Sequence, residues 1–228
     1  MTIKPSMALL VTLATLAGCA EFDAWVDARS RAGEPALQES VNTSTDELYL
    51  NTEMSTGIRD LRNVYIAPAN LANMQVIQPE GAYTDAEWWV TDAEDSILQT
   101  AVVAQLSIAL SSGSAFNIVA SREQAQIIVN MAVIAIHPNE TRSSIAAGGK
   151  SGGAITVSIA LVDAASGSVL VRLVDTTSSD DVWSFNQVEA GDPAINLIFS
   201  AWGKSIRSGL LEAQGRSSEP PFGPTASA

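Results

Sequence analysis

Cysteine and histidine are nearly absent from the chain, with one of each in 228 residues. A lone thiol excludes an internal disulfide, and a lone imidazole leaves only His137 with an ordinary pKa suited to proton transfer near neutrality. Basic residues are few as well: 12 Lys and Arg stand against 25 Asp and Glu, for a formal net charge of -13. Such an excess repels the phosphates of nucleic acid and of anionic lipid. No nucleic-acid partner is therefore expected, and charge attraction cannot hold the chain to a membrane. No internal repeat is visible. Beyond the first apolar run the others are interrupted or amphipathic, so no transmembrane helix is expected in the mature protein.

What is present begins at the amino terminus. Lys4 precedes an apolar run from Met7 to Leu16 that is too short to span a bilayer, and the run closes on the small residues Ala17 and Gly18. Residues 1–18 read as a targeting segment. The sole cysteine follows at once. The quartet Leu16-Ala17-Gly18-Cys19 resembles the bacterial lipobox. That resemblance implies that the Cys19 thiol receives a diacylglycerol, that the chain is cut before it, and that the new amino group is acylated. The plainer alternative is a simple secretory signal with Cys19 buried or free. Several acyl chains make a stable anchor, because each buried CH₂ contributes about 0.8 kcal/mol and one chain alone binds only marginally. Ala20, not Asp, comes next. By resemblance to enterobacterial lipoproteins this implies the outer membrane, with the domain facing the periplasm.

Composition marks the edges of the folded part. Residues 19–57 are polar and acidic and read as a lipidated amino terminus and flexible tether, with one short helix near Phe22 to Arg31. The stretch GRSSEPPFGPTASA is rich in Pro, Gly and Ser, and residues 216–228 read as a disordered tail. One domain, 58–215, is expected between them.

Within that domain NVYIAP is a short β-rich run ended by Pro68. Thr91 and Glu94 have the spacing of a capping box, which predicts a long helix from Asp92 to Ser112, stopped by Gly113. Ile97, Ala101, Ala104 and Ile108 share one face of it, flanked by Leu98, Val102 and Leu106. FNIVA reads as a short strand and SREQA as a turn or one helical turn. QIIVNMAVIAIHP is apolar at both parities, as a strand covered on both sides would be. GAITVSIALVD alternates, Asp163 to Gly167 has hairpin-turn chemistry, and SVLVRLVDTT is the returning strand. Asp192 as N-cap and Pro193 at the first helical position open a last helix. Ile195, Phe199, Trp202, Ile206 and Leu210 form its apolar stripe, and Gly215 ends it. The order predicts an α+β fold: a mixed β-sheet with two principal helices packed mainly on one face.

The lipobox, VYIAP, the long helix, FNIVASREQAQIIVNMAVIAI, ITVSIALVDAASGSVLVRLVD and the closing helix together resemble the bacterial lipoproteins of domain of unknown function family 3313. The likeness covers about residues 58 to 214. A similar order of strands and helices occurs in the amino-terminal domain of TolB and in related envelope lipoproteins. The family has no established activity, so the resemblance assigns no catalytic residue, cofactor or metal ligand.

Few stretches carry the marks of a site. AAGGKSGG resembles a phosphate loop, but Ser144 stands where the Walker pattern needs its first Gly, and a strand rather than a helix is expected to follow. A flexible inter-strand loop is the better reading. His137, at a strand end before Pro138, suits a proton-transfer group; a polar residue that merely ends a strand fits as well. Asp175, Asp180 and Asp181 offer hard oxygens without the spacing of a calcium loop and read as a solvated turn. Of Trp88 and Trp89, one ring is expected to pack on the domain, and an exposed second ring would suit a partner. The leading expectation is a non-enzymatic envelope module held to the membrane through Cys19, with an envelope protein as partner. The alternatives are a small periplasmic hydrolase that uses His137 with a nearby Asp or Ser, and a carrier of an apolar ligand in an internal cavity.

Overall fold

The computed structural model describes residues 37–39, 46–51, 58–79, 88–147, 152–180 and 193–216. All of them fall in one compact unit, Glu34–Ala228. Eight strands form one sheet: β1 (Leu37–Glu39), β2 (Glu47–Asn51), β3 (Asn63–Ile66), β4 (Gln75–Val76), β5 (Asn117–Ile118), β6 (Ile127–Pro138), β7 (Gly153–Asp163) and β8 (Val169–Ser179). Their spatial order is β1-β2-β8-β7-β6-β3-β5, with β4 also beside β6. The strands from β1 through β6 in that order pair antiparallel, whereas β3 and β4 run parallel to β6, and β5 parallel to β3. The sheet is mixed, as expected. Among the described residues the α-helices are α1 (Asp92–Ser111), α2 (Arg142–Ala146) and α3 (Pro193–Ala213).

Strand β6 is central because its sequence leaves it no solvent face. Ile127, Val129, Met131 and Val133 point into the main core, where β7 answers with Leu161, Ile159 and Val157. The register then shifts between Val133 and Ala135. A bulge adds one residue to the strand, so the parity changes and Ile136 returns to the core face opposite Ile155. The unbroken apolar run at Val133 to Ile136 thus has two causes, burial on both faces and a change of parity. The β7–β8 hairpin turns as the sequence predicts. Gly167 takes φ 74°, and Asp163 Oδ1 accepts from the Ser166 amide at 2.6 Å.

Two expectations are corrected here. Strands β1 and β2 lie inside the span 19–57 assigned to a flexible tether, yet β2 lines the free edge of β8 from Glu47 opposite Val174 to Leu50 opposite Val171. Tyr49 is buried and Leu48 packs on the core, which holds a short acidic-flanked strand in place. The domain therefore takes in strands from Leu37 onward rather than starting at 58.

The second correction concerns the buried face of α1. Its capping box forms in full: Glu94 N donates to Thr91 Oγ1 at 3.3 Å, and Thr91 N donates to Glu94 Oε2 at 2.7 Å. The helix is turned about one position from the expected stripe. Leu98, Ala101, Val102, Leu106, Ala109 and Leu110 are buried, while Ile108 is 63% exposed. Both stripes have helical spacing, and the one richer in leucine removes more apolar area from water. By length and composition this helix passes for a membrane span. Here Leu98, Val102, Leu106 and Leu110 are fully buried in the domain core, and its first turn carries Asp92, Glu94 and Asp95.

Helix α3 buries its expected stripe of Ile195, Phe199, Trp202, Ile206 and Leu210, joined by Ile198 and Leu211. The two long helices cross where Gly203 meets Ala109: a Cβ at Gly203 would stand 2.6 Å from the Ala109 Cβ. Trp202 reaches the sheet, its Nε1 donating to Asp175 Oδ2 at 2.6 Å. The chain after α3 turns at Gly215 with φ 67°.

Candidate functional site

The residues at the start of α1 form a connected polar network. Trp88 is 5% exposed and held on three sides: its Nε1 donates to Glu140 O at 2.7 Å, its backbone N to Gln78 Oε1, and its carbonyl accepts from Gln78 Nε2. Trp89 points outward, 59% exposed. Arg142, from the first turn of α2, lies over both indoles, its guanidinium carbon 4.5 Å from the Trp88 ring centre and 5.3 Å from that of Trp89. The same Arg142 Nη2 donates to both Glu94 oxygens, at 2.9 and 2.8 Å, and to the Trp89 carbonyl. Burial alone would raise the Glu94 carboxyl. The hydrogen bonds from Arg142 and Thr91, with the Arg142 charge, outweigh that and hold it below the usual carboxylate range. One ring packs and the other faces solvent, so the tryptophan pair divides as its sequence suggested.

One face of the α1 start borders a cleft of about 450 Å³ against the chain that follows β3. Ala69 to Ala72 and Met74 form one wall, and Val90, Thr91, Asp92, Asp95 and Gln99 the other. Gln99 is pinned, because its Nε2 donates to Ala69 O at 2.7 Å. Its Oε1 and the Asp95 Oδ1 are buried acceptors without a hydrogen-bond partner. Leaving such a group unpaired costs about 1–3 kcal/mol each. No sequence motif pointed to Arg142, Asp95 or Gln99. The one available signal was that Asp95 and Gln99 stand four apart on a helix, which places them on a common face.

The sequence candidates are scattered rather than convergent. His137 sits in β6 opposite Ala154, half-buried, and burial pushes its imidazole pKa down. No acidic or hydroxyl side chain bonds to it among the described residues. Asp175 is corrected: it belongs to β8, not to a solvated turn, and accepts from Trp202 and weakly from Thr177 Oγ1 at 3.5 Å and the Asp46 amide at 3.3 Å. Asp180 follows the strand end, and Asp181 lies outside the described residues, as do Cys19, Asp192 and Gly148 to Ser151 of the glycine-rich loop. The expectation that no Gly-x-Ser-x-Gly motif is present is corrected, because that loop spells Gly149-Lys150-Ser151-Gly152-Gly153, the letters of a nucleophile elbow. An elbow carries its serine from a strand into a helix. Here the helix α2 comes first and strand β7 begins at Gly153, the reverse order. Among the described residues no group of three or more His, Cys, Asp or Glu could hold a metal ion.

A sheet covered by two crossed helices, with an aromatic–arginine cluster at one helix start, defines a two-layer α+β domain. A family model described as a protein of unknown function, DUF3313, matches residues 30–202, and the chain belongs to that family. No curated protein matches it. Among solved structures, protein XCC0632 from Xanthomonas campestris, of family DUF330, is 12% identical, covering 80% of this chain and 95% of its own, with a TM-score of 0.40. A PelC dodecamer from Paraburkholderia phytofirmans is 15% identical over 70% of this chain and 91% of its own, TM-score 0.33. Lipoprotein GNA1162 from Neisseria meningitidis is 9% identical over 64% and 97%, TM-score 0.35. None of these three is described as a TolB domain.

Proposed function

We propose that this protein is a lipid-anchored lipoprotein of the bacterial envelope that works by binding an envelope protein rather than by catalysis. The observation that carries the reading is the quartet Leu16-Ala17-Gly18-Cys19 behind Lys4 and the apolar run from Met7. The anchor is the diacylglycerol and acyl chains on Cys19, and Ala20 after it favours the outer membrane with the domain in the periplasm. Trp89 supports the binding half. It is a large ring held in the open by Arg142 and backed by buried Trp88, and aromatic and arginine side chains dominate the energetics of protein interfaces. A hydrolytic reading would need a nucleophile beside His137, and none bonds to it among the described residues.

Labelling with a fatty-acid analogue in cells tests the anchor: wild type takes up label and Cys19→Ser does not. Equal label on both would end the reading. For the binding half, a photo-crosslinking residue at position 89 should give one discrete adduct in intact cells that an Arg142→Ala background weakens. Purified protein that hydrolyses an ester, and loses that activity in His137→Ala, would overturn it.

A further inference from the structure

We infer that the outward face of α1, joined by Leu197 of α3, lies on the lipid surface to which the chain is anchored. The inference rests on the Cys19 anchor proposed above. From Ser96 to its end at Ser111, α1 holds no Asp, Glu, Lys or Arg. The outward face of a helix in a globular domain ordinarily carries such residues. Here it carries Val103, 38% exposed, and Ile108, 63% exposed. On α3, Gly203 meets Ala109 and Arg207 Nε donates to Ser112 O at 3.1 Å, so the two helices run side by side in the same direction. Leu197 lies about 9 Å before the Gly203 contact and is 70% exposed. Single exposed apolar side chains are ordinary, but five large ones are exposed among the described residues and three of them stand on this one helical layer.

The hydroxyls of the face are turned back on the helix. Ser96 Oγ donates to Asp92 O, Thr100 Oγ1 to Ser96 O, Ser107 Oγ to Val103 O and Ser111 Oγ to Ser107 O, at 2.8, 2.8, 2.6 and 2.8 Å. Each donor keeps its partner when water leaves, so the face can be covered by an apolar surface without orphaning one. The net charge of -13 keeps the charged parts of the chain off anionic lipid, and an uncharged face escapes that repulsion. Contact between two copies would bring that charge together twice. The chain from Cys19 to Leu37, where β1 begins, is about 60 Å long at full extension, which keeps an anchored domain beside the bilayer. A weak contact is then held by effective concentration. The helix lies on the surface and does not span it, because Leu98, Val102, Leu106 and Leu110 are fully buried on its inner side.

The test uses the full chain isolated from membranes, its acyl chains checked by intact mass, in vesicles of phosphatidylethanolamine and phosphatidylglycerol that contain brominated lipid. A fluorescent coumarin amino acid replaces Ile108 or, as the reference, the exposed Ala165 of the β7–β8 turn. Brominated lipid should quench the label at 108 and leave that at 165 unchanged. Val103→Asp with Leu197→Asp, both at exposed positions, should abolish the quenching at 108 while the protein stays on the vesicles through its acyl chains. A mass without acyl chains would mean that the anchor has failed; coupling the Cys19 thiol to a maleimide lipid then puts the face to the same test. No quenching at 108, equal quenching at 108 and 165, or quenching that survives the double substitution would each overturn the assignment. So would a label at 108 that leaves water as protein concentration rises, with or without lipid, which would mark the face as a contact between copies.

Discussion

Trp202 gives the sharpest test of the packing described above. It is 3% exposed, its ring lies 5.5 Å from that of Phe199 at 55°, and its Nε1 donates to Asp175 at 2.6 Å. Trp202→Ala removes both the ring and the donor. Truncation of a large buried aromatic costs about 3–5 kcal/mol. In a domain of this size each kcal/mol moves the melting temperature by about 2–4 °C, so a fall of about 6–20 °C is expected. Trp202→Phe separates the two parts, because it keeps most of the ring and loses the hydrogen bond to a carboxylate, about 1.5–3 kcal/mol. Among the described residues Asp175 has only weak substitutes, the Thr177 hydroxyl and the Asp46 amide. In an Asp175→Asn background the Trp202→Phe cost should shrink, since the charge-assisted part is already gone. Urea unfolding followed by circular dichroism supplies all four corners of the cycle. Trp202→Ala with an unchanged midpoint would refute the placement of α3. A Trp202→Phe cost independent of Asp175 would refute the role of the carboxylate.

Gly203→Ala should destabilise by about 1–3 kcal/mol in the same assay, because its Cβ would press on Ala109 at 2.6 Å, and Ala109→Gly should restore part of the loss. The Glu94 carboxyl is held below its ordinary value of 4.5 in the folded state, so its contribution is complete above that pH and is lost as the pH falls through the lowered value. The stability gap between wild type and Glu94→Gln should therefore be widest near neutrality and narrow in acid, and a gap that widened in acid would contradict the Arg142 pairing. His137 and Ser151 are not expected to carry catalysis, so His137→Ala and Ser151→Ala should leave function in cells unchanged, and a loss common to both would revive a hydrolytic site.

Much of the architecture was legible because the chain's patterns are locally unambiguous. Thr91 with Glu94, Asp163 with Gly167, and the stripe of α3 each specify one backbone geometry, and each formed. The failures share a cause. In α1 nearly every residue is apolar or small, so two stripes fit the period and only the competition for the core separates them. Asp175 was misread because a carboxylate that opens the polar run DTTSSDD suggests a turn. Yet Leu173 is inward, and strict alternation places Asp175 on the same face, where α3 brings it an indole donor. The edge strands β1 and β2 are too short to show alternation and exist because β8 has a free edge. The Arg142 cluster joins residues some fifty positions apart, from Glu94 to Arg142, and no spacing rule reaches that far.

Glu94 has a further consequence for how the molecule opens. Its two oxygens accept from Thr91 N, Thr91 Oγ1 and Arg142, so one carboxylate closes the first turn of α1 and also ties down the segment that leaves β6. Neither can let go without exposing the other's orphaned partner. Fraying of the helix start and release of residues 139–147 are thus one local unfolding event rather than two. In native-state hydrogen exchange, the amides of Glu94, Asp95 and Ala147 should open with a common free energy, and Arg142→Lys should lower it for all three together.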